Sequence, residues 1–248
     1  MRLATILNSQ AIAAKRDDPR FYLPRKFNRE KYGHIKWCHL SKMAHIPSST
    51  ITPSRYPDKI FNYVDLADVE EKEGEVTNVH QRKGKDITGG KVLFKSGDVI
   101  FARIEPSIFN RKYALVQAEI EEGVGSTEFY IARPKSGVSA VYLHWALRGD
   151  WVAEQLNPGI LRGSTGRRRL SREDFSQLLI PDVSKEEQEE IEKLILHSRA
   201  RRRRLLELAD IVITKTDNII TEILYEASPY EDLENSSEDG QLALTNPQ

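Results

Sequence analysis

Apolar positions along the chain show two textures. Between residues 35 and 180 they come mostly as short runs, at 35–40, 60–66, 75–79, 91–94, 99–104, 114–117 and 129–133, punctuated by proline and glycine. Runs of that length between turn residues predict the strands of an irregular, mainly antiparallel sheet or barrel. Residues 141–156 interrupt the pattern, because Tyr142, Trp145, Ala146, Val152 and Leu156 share a helical face, with Gly149-Asp150 as a break. A short helix is expected at 171–175 and a last strand at 178–180, before Pro181. Residues 1–35 carry little pattern; the aromatic and basic residues from Arg20 to Phe27 are read as packing on the domain's flank.

The second texture is a long helical periodicity from residue 184 to about 227. Ser184 and Glu187 stand three apart, the spacing at which hydroxyl and carboxylate satisfy each other's free backbone N–H groups. Glu186, Glu187, Glu189 and Glu190 follow at the end of the helix dipole that favours anions. Ile191, Leu194, Ser198, Leu205, Leu208, Val212 and Ile219 then recur at steps of three and four or their multiples, which makes one seam. Ser228-Pro229 ends the pattern, since a residue before proline avoids the helical region. At 1.5 Å per residue such a helix is about 66 Å long, more than one small domain covers, so its seam calls for a partner helix. Arg201, Lys215 and Glu222 occupy seam positions, which suits a bundle or an interrupted coiled coil. The plainer alternative is two core helices broken near residues 199–204. The fold class expected is α+β, with a β domain over 1–183, a long helix over 184–227 and a tail over 228–248.

Charge refines this picture. The 248 residues carry 37 basic and 37 acidic side chains, but six acids and no Lys or Arg follow Tyr225, so the first 225 residues have a net charge of +6. A basic body with an acidic tail suits a polyanionic partner, and the tail's composition predicts disorder. A single cysteine, Cys38, excludes both a disulfide framework and a thiolate zinc cluster. The apolar part of the first 14 residues is too short for a secretory signal, and no run reaches the ~18 apolar residues of a membrane span. The expected location is the cytoplasm, with no membrane partner.

Candidate chemistry is mainly that of binding. Arg162, Arg167, Arg168, Arg169 and Arg172 fall within eleven residues, interleaved with Gly163, Ser164, Thr165 and Gly166, and no acid interrupts them before Glu173. Guanidinium forks suit phosphate oxygens and the paired acceptors of guanine, and small residues let a backbone approach a phosphate chain. Arg82, Lys83 and Lys85, in a hairpin-like loop, form a second basic group, Arg103 on a strand is a further candidate, and Arg199 with residues 201–204 forms a third group. Signals for catalysis are weaker. Gly123-Val-Gly-Ser-Thr has the texture of a phosphate-cradling loop but no accompanying lysine. His34, His39 and His45 lie close in sequence without a carboxylate pattern. Asp58, Glu70 and Lys72 match the loose acid-pair-plus-lysine arrangement of metal-dependent nucleases, the enzymatic alternative. Nothing in the pattern calls for a cofactor.

Several of these pieces, taken in order, resemble the target-recognition half of the DNA specificity subunit of type I restriction–modification systems. The resemblance rests on the run from Phe61 to Val69 with Gly74, the segment from Gly97 to Pro106, Ser126-Thr-Glu-Phe, Arg133-Pro134, Gly163-Ser-Thr-Gly, the stretch 171–180 with Pro181, and Glu187-Gln188 before the long helix. It implies a non-catalytic subunit whose globular domain reads one part of a split target in double-stranded DNA. It further implies that the helix sets spacing and docks a DNA adenine methyltransferase subunit, with a restriction motor subunit joining through the complex. The family's usual chain carries two domains and two helices, whereas this sequence shows one set and no internal repeat, so a homodimer through the helix seam, a fragment and a solitary relative all remain open. Pro181-Asp-Val also stands where the family has a more proline-rich linker.

Overall fold

The computed structural model describes residues 27–156, 160–164 and 166–226. The tail over 228–248 and Thr165 lie outside them. The chain divides into two compact bodies, one ending at Leu194 and the other beginning at Ile195.

Among the described residues, the first body holds three sheets. In chain order its elements are β1 (Trp37–His39), α1 (Leu40–Met43), β2 (Ala44–His45), β3 (Thr50–Ile51), β4 (Ile60–Val64), β5 (His80–Lys83), β6 (Lys91–Lys95), β7 (Val99–Ala102), β8 (Tyr113–Leu115), β9 (Glu122–Gly125), β10 (Phe129–Pro134), α2 (Ala140–Arg148), α3 (Asp150–Gln155), α4 (Arg172–Ser176) and β11 (Leu179–Pro181). The five-stranded sheet runs β3-β6-β9-β4-β5, the four-stranded sheet β2-β10-β7-β8, and β1 pairs with β11. Every pairing is antiparallel except β4 with β9.

The continuous apolar runs of β7 and β10 follow from burial on both faces. Strand side chains alternate, so Val99, Phe101, Tyr130 and Ala132 enter one core while Ile100, Ala102, Phe129 and Ile131 enter another. The first core lies against α2, α3 and α4, where the Phe101 ring stacks on Tyr113 at 3.8 Å and Phe175 of α4 meets Phe101 and Tyr130. Ser139 caps α2 by accepting the Tyr142 N–H at 3.0 Å, and the helix breaks at Gly149, as the sequence pattern predicts.

Two expectations differ from what is seen, and two strands were not expected. Residues 75–79 make only isolated bridges, and the strand begins at His80. The short pieces β2 and β3 carry too few residues for a pattern. The glycine run at 123–125, read as a possible phosphate loop, is strand β9 in the middle of the five-stranded sheet. Gly123 is there for space, since a Cβ would come within 2.4 Å of the Phe94 ring and 2.8 Å of the Asn62 carbonyl oxygen.

Helix α5 spans Lys185–Glu226. Its start is reciprocal capping: the Ser184 N–H donates to Glu187 Oε2 at 2.7 Å, and the Glu187 N–H donates to Ser184 Oγ at 3.2 Å. The first turns are docked on the domain. Gln188, 5% exposed, accepts the Ser139 N–H at 3.1 Å, and Ile191 packs on the first core. From Ile195 the helix belongs to the second body. No helix among the described residues is long and apolar enough to cross a membrane.

Candidate nucleic-acid interface

The arginine-rich segment folds back on itself. Arg162 and Arg169 exchange both backbone hydrogen bonds, the Arg162 N–H to the Arg169 carbonyl at 2.9 Å and the reverse at 2.8 Å. Gly163 and Gly166, at φ 119° and 80°, adopt the left-handed turn region that side chains disfavour. The far limb is pinned to the strands: the Glu105 N–H donates to the Arg168 carbonyl at 3.0 Å and the Leu170 N–H to the Arg103 carbonyl at 2.8 Å.

Carboxylates sort the arginines into two kinds. Arg168 Nε donates to Glu105 Oε2 at 3.0 Å, and that carboxylate is 7% exposed. Arg169 grips Glu128 with Nε 2.9 Å from Oε2 and Nη2 2.6 Å from Oε1. Arg103 approaches the same carboxylate at 3.5 Å, donates to the Tyr130 hydroxyl at 3.1 Å and lies over the Tyr130 ring. Arg172 also lies over Tyr130 and donates to the carbonyls of Ile46 and Pro47. The Arg169 hydrogen bond, ahead of the opposing effect of burial, holds Glu128 below the usual carboxylate range. Arg162, Ser164 and Arg167 are exposed, and neither arginine has an acidic partner among the described residues. Arg172 is exposed and without an acidic partner too, but the Ile46 and Pro47 carbonyls hold its guanidinium, so the cations of the loop without a side-chain or carbonyl anchor among the described residues are Arg162 and Arg167.

The second basic group is strand rather than loop. Arg82 and Lys83 lie on β5, an edge strand, and Lys85 in the short turn of 3₁₀ helix (Gly84–Asp86) that follows; all three are exposed. Arg82 sits 4.7 Å over the Tyr63 ring, which Lys91 also approaches at 5.9 Å. The guanidinium is thereby given one orientation while its edge stays open to solvent.

On the helix, Leu194, Leu205, Leu208, Val212 and Ile219 are all at least half exposed within this chain. Ile191 is separate from them, packed on the domain's core. The exposed apolar band is wider than the single seam: Leu206, Ile213, Ile220 and Leu224 lie beside it at heptad-related steps and are similarly exposed.

For the nuclease alternative, Glu70 has another task. Burial opposes its ionisation, but the N–H groups of Glu73, Lys72 and Gly74 hold it below the usual carboxylate range. It accepts the Lys72 and Glu73 N–H groups at 2.7 and 2.5 Å, so it closes the 70–74 turn, onto which Arg148 also docks through the carbonyls of Glu71 and Lys72. Asp58 and Lys72 are exposed, and no group of three His, Cys, Asp or Glu side chains converges among the described residues. His39 is hydrogen-bonded to the Gln177 carbonyl. Burial pushes the Cys38 thiol up to about 11.

Sequence reasoning assigned no role to Glu128 or Tyr130 and read Glu105, or Asp98, only as a surface partner for Arg103, whereas Arg103 meets Glu128, Glu105 meets Arg168 and Asp98 meets Arg133. The signal available for two of them was their place inside the ordered motifs, Glu105 in the segment ending at Pro106 and Glu128 in Ser126-Thr-Glu-Phe.

No protein-family model matches the chain. Over 202 residues it is 27% identical to the type I restriction enzyme EcoAI specificity subunit of Escherichia coli, covering 71% of this chain and 34% of that one. Over 160 residues it is 27% identical to the EcoEI specificity subunit of the same organism, covering 63% and 26%. A chain from a solved type I R-M system superposes with a TM-score of 0.60 at 25% identity, covering 79% of this chain and 50% of that one. The HsdS subunit from Thermoanaerobacter tengcongensis superposes with a TM-score of 0.61 at 24% identity, covering 80% and 50%. The chain thus spans about a third or less of the curated relatives' length and half of the solved chains'. In sequence and in fold, the chain is similar to the specificity subunits of type I restriction–modification systems.

Proposed function

We propose that this chain reads one part of a split target in double-stranded DNA and directs a DNA adenine methyltransferase subunit, and through it a restriction motor subunit, to that target. The observation that carries the reading is the joint match, along most of this chain, in sequence to about a third of a specificity subunit and in fold to half of an HsdS subunit. The subunit itself is non-catalytic and works in the cytoplasm. Residues 1–183 form the recognition domain, 184–227 the spacing and docking helix, and 228–248 an acidic appendage. Arg162, Arg167 and Ser164 face the DNA from the folded-back loop, with Arg82, Lys83 and Lys85 as a second contact on phosphates. A second copy of the chain, joined through Leu194, Leu205, Leu208, Val212 and Ile219, supplies the other half of the target as an inverted repeat.

The test is selection from a random duplex pool by the full chain, with and without a methyltransferase subunit from the same genome, followed by footprinting of the enriched duplex. Two inverted blocks separated by a fixed spacer are the expected outcome. Failure to enrich any sequence in either condition overturns the proposal.

A further inference from the structure

An acid packed against a basic loop weakens the general attraction for phosphates, so the presence of Glu105 beneath this one needs a reason. Glu105 brackets the loop twice. Its backbone N–H donates to the Arg168 carbonyl at 3.0 Å, and its single oxygen Oε2 accepts both the Gly166 N–H at 3.2 Å and Arg168 Nε at 3.0 Å. The carboxylate is 7% exposed, and the Arg168 side chain 17%. A desolvated pair of this kind yields little net stability, yet breaking it strands a buried charge. What the pair does supply is geometry. Gly166 forms the turn beside Arg167, so a carboxylate that fixes the Gly166 N–H also fixes where Arg167 leaves the loop. At the base of the loop, the paired backbones of Arg162 and Arg169 and the Arg169–Glu128 grip tie its two limbs to each other and to the strands. A loop ordered before binding does not lose that freedom on the DNA.

We infer that Glu105 is a positioning residue for sequence recognition, which holds the tip of the arginine loop so that Arg162 and Arg167 meet the duplex in one geometry. The inference rests on the DNA-reading function proposed above. Glu105 acts through Gly166 and Arg168 and makes no contact with the nucleic acid. Its removal frees the tip and also releases the Arg168 cation, so discrimination and general affinity move in opposite directions.

The experiment compares the full wild-type chain with Glu105→Ala and Glu105→Gln, on the duplex selected from the random pool and on a shuffled duplex, across a salt series. For Glu105→Ala the expected preference for selected over shuffled duplex falls at least tenfold. Its affinity for shuffled duplex does not fall, and its salt slope steepens by up to about 0.9, the value of one phosphate contact. Glu105→Gln still accepts the Gly166 N–H and recovers most of the preference. The inference is overturned if the Ala variant keeps the wild-type preference, or if Gln loses as much as Ala. Should Glu105→Ala fail to fold, Glu105→Asp keeps the charge but withdraws the carboxylate from the Gly166 N–H by one methylene, and an unchanged preference there likewise overturns the assignment. A wild-type chain that selects no sequence brings down the DNA-reading proposal and this inference together, whereas sequence selection by wild type with unaffected variants removes only the role of Glu105.

Discussion

Arg169 and Glu128 meet fork to fork, with guanidinium nitrogens 2.6 and 2.9 Å from the two carboxylate oxygens. Such a pair sets orientation as well as charge, because both groups are planar and both hydrogen bonds must align. Arg103 and Tyr130 extend the contact into the first core, where the Tyr130 hydroxyl donates to the Leu170 carbonyl at 2.9 Å. The run Arg167-Arg168-Arg169 is thereby divided, since only its first member is free of a carboxylate among the described residues.

Arg167→Ala and Arg169→Ala should therefore differ in kind. Removing Arg167 should lower the log–log salt slope of DNA binding by about 0.9 and leave thermal unfolding unchanged. Removing Arg169 should lower stability by about 1 kcal/mol, the scale of a part-exposed charge-assisted contact, with a smaller effect on the slope. Equal changes in slope for the two variants, measured by binding in a salt series, would contradict the division.

Acid should expose the same pair. Glu128 is held below its ordinary value of 4.5, first by the Arg169 hydrogen bond. A carboxylate with a lowered folded-state pKa contributes stability that is fully present above its unfolded value and is lost as the pH falls through the folded value. The contribution should therefore be intact at neutral pH and fade below about pH 4.5. Glu128→Gln lacks it throughout, so urea midpoints of variant and wild type should converge on acidification. A gap that stays constant down to the acid limit would mean that Glu128 does not titrate through this contact.

The elements that were legible in the sequence are those whose signal is local. The start of α5 was readable because Ser184 and Glu187 satisfy each other across three residues. Strands β7 and β10 were readable because burial on both faces leaves an unbroken apolar run. The central strand β9 was hidden because its glycines are chosen by a distant ring, Phe94 on the neighbouring strand. The roles of Glu105 and Glu128 were hidden for the same reason, since their partners lie 63 and 41 residues away. Periodicity placed Ile191 on the helix seam but carried no information that the domain's own core covers it.

Packing at β9 gives a direct stability test. A methyl group at position 123 needs room occupied by the Phe94 ring and the Asn62 carbonyl. Gly123→Ala should therefore lower stability by about 1–3 kcal/mol, the range for overfilling a packed interior. Gly89→Ala, whose Cβ meets nothing within 4 Å, serves as a comparison in which only the strain of its φ of 71° acts. Denaturant unfolding distinguishes them, and a milder effect at 123 than at 89 would contradict the packing account.

The exposed band on α5 makes the last prediction. Leu194, Leu205, Leu208, Val212 and Ile219, with Leu206, Ile213, Ile220 and Leu224 beside them, leave a long strip of aliphatic surface bare within one chain. Continuous strips of that kind rarely stay solvated. A second copy related by a two-fold axis would cover it with reciprocal contacts, placing each seam residue against a symmetry-related one. Sedimentation of the full chain should then give a dimer that Leu208→Glu dissociates, because a buried, unpaired carboxylate is costly against a facing leucine or valine. Ile191→Glu should act differently. That residue packs on the first core, so its substitution should lower the domain's thermal stability and leave the dimer's concentration dependence nearly unchanged. A wild-type chain that sediments as a folded monomer at high concentration, or a Leu208→Glu variant that stays dimeric, rules out self-pairing through this face.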